Sequence, residues 1–301
     1  MRTFPLLASL LFVDSLYFIS ARLLGSRLDP VVASFYYMLV AAVELGLYAL
    51  LTRKLDLRLL RQHLGFFTAI GFCVAVSVLL SYTGVQYIDP GTASMLSQFG
   101  VIVALALGLL WLRERLRPAQ WLGAGLAVAG VFVVSFQPQL ELRVGALLVL
   151  LSNIAYVVHT ALTKRFAEDM DFINFFTMRM LTSTAFLFLF AAGSRELVLP
   201  DGVTMLLLLL FGTTDVVISR ALYYVALRRL TLSVHTIVLT LSPVLTIIWS
   251  WLLFREVPAI LQWLGGILVL IGVATATVRP RHRPVDPGVV DLEAEVRLGP
   301  G

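Results

Sequence analysis

Two stretches of this chain read almost as copies of one another: RERLRPAQWLGAGLAVAGV, residues 113–131, and REVPAILQWLGGILVLIGV, residues 255–273. At an offset of 142 residues they agree at nine of 19 positions, where chance agreement is about one or two. Arg113-Glu114 falls on Arg255-Glu256, Gln120-Trp121-Leu122-Gly123 on Gln262-Trp263-Leu264-Gly265, and Gly130 on Gly272. Tyr82 meets Tyr224 at the same offset. Each copy is a charged turn followed by an apolar, glycine-bearing run, so each joins two helices of a duplicated unit.

Around these stretches the composition is that of a membrane protein. Of 301 residues, 59% are hydrophobic and 14% charged, against about 45–50% and 25% in soluble domains. So few charges cannot cover so much apolar material with a polar shell. A disordered chain, a coiled coil and a disulfide scaffold are excluded; Cys73 is the sole cysteine. Ten apolar runs suit a bilayer core, which needs roughly 20 residues of helix. They lie near 4–24, 31–51, 64–85, 91–111, 118–136, 144–163, 172–192, 203–227, 231–253 and 259–278. Asp14 and the lack of a small-residue cleavage site argue against a secretory signal in the first run.

The expected fold is an all-α integral membrane protein of ten transmembrane helices. Residues 1–140 and 141–279 form its two repeats, and 280–301 a disordered cytoplasmic tail. Five helices per repeat is an odd number, so the second copy enters from the opposite face and the repeats are inverted. With both ends inside, 16 of the 23 Lys and Arg residues fall in inner segments, five in outer ones and two within spans. Basic loops stay on the cytoplasmic side, so the net charge of +5 is an orientation signal and nucleic acid is not an expected partner. Inverted repeats suit alternating access, because exchanging the conformations of the halves exchanges the inward-open and outward-open states.

The repeated Arg-Glu and Gln-Trp-Leu-Gly motifs, together with Tyr87-Ile88-Asp89-Pro90-Gly91-Thr92-Ala93, resemble the EamA-type branch of the drug/metabolite transporter superfamily across residues 4–278. The resemblance implies inner-membrane carriers, commonly exporters, of small metabolites, amino acids or drugs, with the pathway between the halves. Two departures bear on substrate identity. The first span has Val13-Asp14-Ser15 where the family often has Trp-Gly, and the second has Tyr36-Tyr37 where it often has Arg.

An ionisable group inside a span costs about 2.5–3.5 kcal/mol on insertion scales, so each needs a reason. Five fall at depth: Asp14, Glu44, Arg179, Asp215 and Arg220. Asp14 is 12 residues from Arg2 and Asp215 is 13 from Arg228; at 1.5 Å per residue these are about 18 and 20 Å of helix, near the bilayer centre. If both arginines pair with acids, as burial favours, one carboxylate is left over to exchange a proton with the transport step. Asp14 is the expected coupling acid, being central and on a pathway helix of the resembled family; Asp215 is its rival. Otherwise the five form a structural network.

Gln98 and Asn153 put amides inside the fourth and sixth spans, bridging helices or touching a polar substrate. Tyr17, Phe18, Tyr36, Tyr37, Tyr82, Tyr223 and Tyr224 either pack or line a cavity for a cationic ligand. The candidate substrate and proton pathway is thus Asp14, Glu44, Arg179, Asp215, Arg220, Gln98, Asn153, Tyr37, Tyr82 and Tyr224. Pro243 is expected to kink the ninth span, and Gly123, Gly125, Ala127, Ala129 and Gly130, echoed by Gly265, Gly266 and Gly272, to let helices pack closely. Glu114 and Glu256 are expected to act locally in their turns. His159 and His235 lack ligand-spaced partners, so no metal or other cofactor is expected.

No phosphate-binding loop is present to power transport by nucleotide hydrolysis, which leaves a secondary carrier as the leading function. A membrane-embedded enzyme lacks a nucleophile elbow or zinc motif; a non-transporting scaffold or subunit is the other alternative. The expected partners are a small-molecule substrate and the lipid bilayer, with the chain a monomer or homodimer.

Overall fold

The computed structural model describes residues 3–110, 117–135, 139–167, 170–194, 196–219, 222 and 241–277, and every regular element among them is helical. Glu114, Arg220, Tyr223, Tyr224, His235 and the tail 280–301 lie outside the described residues. The helices are α1 (Thr3–Asp14), α2 (Tyr17–Gly25), α3 (Pro30–Leu51), α4 (Leu57–Gln62), α5 (Leu64–Gly84), α6 (Pro90–Ser97) and α7 (Gly100–Leu110). There follow α8 (Pro118–Ser135), α9 (Leu140–Phe166), α10 (Phe172–Ser194), α11 (Gly202–Phe211) running into a π-helical segment (Gly212–Ile218), α12 (Ser242–Phe254) and α13 (Ile260–Thr277).

Seven stretches are long and apolar enough to cross a bilayer: Ala8–Gly25, Pro30–Leu51, Leu64–Gly84, Pro90–Leu109, Leu140–Phe166, Phe172–Ser194 and Ile260–Thr277. Shorter apolar helices, Pro118–Val134, Gly202–Ile218 and Ser242–Phe254, stand where the fifth, eighth and ninth spans are expected. The outward faces carry exposed Trp121, Phe132, Leu206 and Leu264, an apolar surface that suits lipid and not water. The chain is a multi-pass membrane protein.

Local chemistry starts the helices where the sequence punctuates them. Asp29 caps α3 by accepting from Val31 N at 2.9 Å. Asp89 caps α6 by accepting from Thr92 N at 2.8 Å and Thr92 Oγ1 at 2.6 Å. In each case proline follows, its missing N–H falling where a helix start has no partner to offer. Pro243 likewise stands in the first turn of α12, at a helix start instead of a mid-helix kink.

The helices pack through small residues. On antiparallel α5 and α9, the Ser81 and Ser152 hydroxyls meet at 2.6 Å and Gly84 lies against Gly145. From α10, Thr184 Oγ1 donates to Met38 O of α3 at 3.3 Å, and Thr182 covers Gly71 of α5. The largest apolar cluster gathers Tyr37, Tyr82, Leu96, Phe176 and Phe211.

The tightest seam joins α8 and α13, antiparallel, through the glycines of the internal repeat. A Cβ on Gly123 would meet the Gly272 carbonyl and lie 2.6 Å from Ala276 N; one on Gly130 would lie 2.6 Å from Gly265 O. These are backbone atoms, which cannot swing aside. Gly125, on the same helix, has nothing within 4 Å of its Cβ direction. Gly123→Ala should therefore destabilise by about 1–3 kcal/mol through overpacking, whereas Gly125→Ala should be neutral or gain about 0.5–1 kcal/mol of helix propensity. Thermal unfolding in detergent compares them; equal melting temperatures would mean the seam is not tight.

Asp89 sits outside the spans and yields a pH dependence. Burial pushes its carboxyl above the ordinary value, and nearby Glu256 adds to that, against the opposing Thr92 hydrogen bonds. The folded chain thus holds this proton more tightly than the unfolded chain, and stability is lost as pH rises through that window. Asp89→Asn should remove this loss while still capping α6; Asp89→Ala should cost about 1 kcal/mol at any pH. Melting curves across the acidic range test this, and an Asn variant that declines as steeply as the parent would count against it.

Candidate functional site

Three expected spans are interrupted part-way, and the interruptions carry the polar residues. The first breaks between α1 and α2: Leu16 N bonds to Val13 O at 3.1 Å, a tightened turn that leaves Asp14 at the end of α1. The Ser15 carbonyl at this break accepts from Thr246 Oγ1 of α12 at 3.0 Å. The fourth breaks at Gln98 and Phe99, between α6 and α7. Here Asn153 of α9 donates Nδ2 to Leu96 O at 3.3 Å and to its own helix at Val149 O at 3.0 Å. The eighth widens into the π-helical segment that contains Asp215. Wide turns of this kind recur at functional sites.

Asp215 is 8% exposed. Its Oδ2 accepts from Ser20 Oγ at 2.7 Å, and its Oδ1 from Thr214 Oγ1 at 3.2 Å. Ser20 stands on α2, one turn past the first break, so the two interrupted spans meet at this carboxylate. Gly212 makes the approach possible: a Cβ there would lie 2.8 Å from a Val40 methyl and 3.2 Å from the Tyr37 carbonyl on α3. Asp14 interacts electrostatically with Asp215. Tyr82 shares the field of Asp215, Tyr37 and Tyr17. Its ring centroid lies 5.3 Å from that of Tyr37 and 6.4 Å from that of Tyr17. The Tyr82 hydroxyl is fully buried beside the Ser20 hydroxyl.

The structure therefore brings Asp14, Asp215, Tyr37 and Tyr82 together. Glu44 stands beside them on α3, where Oε1 accepts from Thr213 Oγ1 at 2.6 Å. Among the described residues, hydroxyls hold both Glu44 and Asp215. Arg179 lies between α9 and α10: it is 7% exposed, its guanidinium sits 4.6 Å from the Phe176 ring centroid, and Nη1 is 3.4 Å from His159 Nε2. Gln98 marks the break in the fourth span, and Asn153 bridges helices at the same point. Arg220 and Tyr224 fall outside the described residues.

Sequence reasoning missed Ser20, Thr213 and Thr214. Thr213 and Thr214 immediately precede Asp215, which was a readable signal; Ser20 was not readable, because its partner is 195 positions away. Sequence reasoning also assigned Glu256 a local role in its turn, whereas Glu256 forms an ion pair with Arg22 of α2 at 2.6 Å.

Residues 4–136 and 143–278 each match the EamA-like transporter family. An uncharacterized transporter of Bacillus subtilis, YdfC, is 28% identical over 79% of this chain and 78% of its own length. The uncharacterized protein PA1977 of Pseudomonas aeruginosa is 32% identical over 64% of this chain and 68% of its own. One solved crystal structure superposes with a TM-score of 0.65 at 19% identity, over 90% of this chain and 96% of its own, a likeness of fold. With both halves matched, the chain belongs to the EamA-like transporter family.

Proposed function

We propose that this chain is a secondary active transporter of small metabolites, amino acids or drug-like solutes. It works by alternating access through ten helices in two inverted repeats, residues 1–140 and 141–279, in the cell membrane with both ends cytoplasmic. Family membership supports transport over catalysis or a scaffold role, and the basic inner segments support the orientation. The seam between α8 and α13 supports the inversion. Its contacts Gly123–Gly272 and Gly130–Gly265 exchange with one another under the 142-residue offset, as a two-fold relation between antiparallel repeats requires. Export follows the resemblance to family exporters.

The observation that carries the reading is Asp215, buried where two interrupted spans meet and held among the described residues by the hydroxyls of Ser20 and Thr214. Ser20 Oγ has two acceptors, Asp215 Oδ2 at 2.7 Å and its own helix at Tyr17 O at 2.8 Å. With Asp215 ionised, the single hydroxyl proton ties α2 to the π-helical segment. When Asp215 takes up a proton, its own O–H can donate to Ser20 Oγ while Ser20 donates to Tyr17 O, so the direction of this bond between two pathway helices follows the protonation state of one carboxyl. Asp14 stands within electrostatic reach of Asp215. Proton coupling therefore runs through Asp215 with Asp14 beside it.

A panel of amino acids, polyamines and nucleosides, screened by thermal shift in detergent, should contain a stabilising ligand, because a ligand that binds the folded state raises its melting temperature. That ligand should exchange by counterflow in proteoliposomes without chemical change. Asp215→Asn should keep counterflow and lose acceleration by a pH gradient; Asp14→Asn should weaken the acceleration. Full gradient-driven uptake by Asp215→Asn would refute the coupling role, and a panel with no ligand would weaken the carrier reading itself.

A further inference from the structure

At the end of the bundle where α2 and α5 finish and α6 begins, one guanidinium joins three chain segments. Arg22 Nη2 meets Glu256 Oε1 at 2.6 Å; Nη1 donates to the carbonyls of Val85 at 3.0 Å and Gln86 at 2.8 Å. Arg22 and residues 85–86 lie in the first repeat, and Glu256 lies in the second. Gln86 continues the closure, donating Nε2 to Ala21 O and Tyr82 O, both at 3.1 Å, and covering Gly25.

Three features mark this ion pair as more than a tie. Glu256 is presented by Arg255, whose φ of 59° is left-handed, a conformation that a non-glycine residue keeps only where the surroundings impose it. The other oxygen, Glu256 Oε2, is buried with no hydrogen-bond partner among the described residues, and Asp89 stands close enough to interact electrostatically. A bridge built only for stability would have both oxygens satisfied. Finally, burial is uneven along the fourth span. Every residue of α6 from Pro90 to Leu96 is buried, whereas Ile102 and Gly108 are the buried ones among residues 101–109 of α7. Burial is therefore densest where α6 begins, at the Arg22 end.

We infer that the Arg22–Glu256 ion pair is a latch between the repeats that holds this end of the pathway shut and parts when it opens. Both side chains keep some solvent contact, at 24% and 31% exposure, so the pair is screened. Such a pair breaks thermally, yet biases a two-state equilibrium by up to about fivefold. The latch relies on the alternating-access reading for what it controls.

Its test needs no transported solute, so failure of the Asp215 experiment leaves the test standing. Cys73→Ser removes the native thiol, and Ser94→Cys, 3% exposed on α6, reports on the latched end through its N-ethylmaleimide labelling rate in lipid nanodiscs. Ser183→Cys, fully buried on α10, is a control made separately. Arg22→Met and Glu256→Gln should each speed labelling at position 94 by about fivefold. The double variant should be no faster than either single, because both remove one interaction. Position 183 should stay unlabelled. Parent-like rates in both singles, or effects that multiply in the double, would overturn the latch. So would faster labelling at both positions, since the pair would then only hold the fold together.

Discussion

Within a bilayer no water is available to a broken helix, so every backbone carbonyl freed by an interruption needs a partner inside the protein. That constraint organises the site. Where the first expected span breaks, Thr246 supplies a hydroxyl to Ser15 O; where the fourth breaks, Asn153 supplies an amide to Leu96 O. Both partners come from helices remote in sequence, so the repairs also fix which helices meet. The breaks are tolerated because the bundle packs around them, and in return they place Asp14 and Asp215 within electrostatic reach at one level.

Hydroxyls also serve the carboxylates of the site. A charge removed from water needs hydrogen bonds or a counter-charge. Ser20 and Thr214 supply the former for Asp215, and Thr213 for Glu44. Hydroxyls suit a site that has to change state. They rotate between acceptors at nearly equal distance, as the Ser20 bonds of 2.7 and 2.8 Å show.

Much of this was legible in the sequence. Periodic apolar runs, Asp-Pro caps and repeated glycines are local signals, and seven runs reappear as candidate spans. The repeat motif located the glycines of the closest seam. Asp215 was singled out as an acid inside an apolar run, and it is buried. The hydroxyl partner of Asp215 was not legible, because Ser20 reaches it from 195 positions away. Arg22 was counted only as an outer charge, because nothing local to it foretold Glu256. The break in the first span was invisible for a similar reason, since Ser15 and Leu16 are ordinary helix residues and the turn is stabilised by Thr246 from α12.

The seam between α8 and α13 has an entropic character of its own. Association of helices in lipid gains little from the hydrophobic effect and depends on close contact. Long side chains must give up rotamer freedom to make such contact, whereas glycine and alanine have almost none to give up, and their backbone freedom was already spent when the helix formed. Gly123, Gly130, Gly265, Gly272, Ala127 and Ala276 meet through main-chain and Cβ atoms. Docking these two helices therefore orders little that helix formation had not already ordered, and this favours their joining as preformed rods.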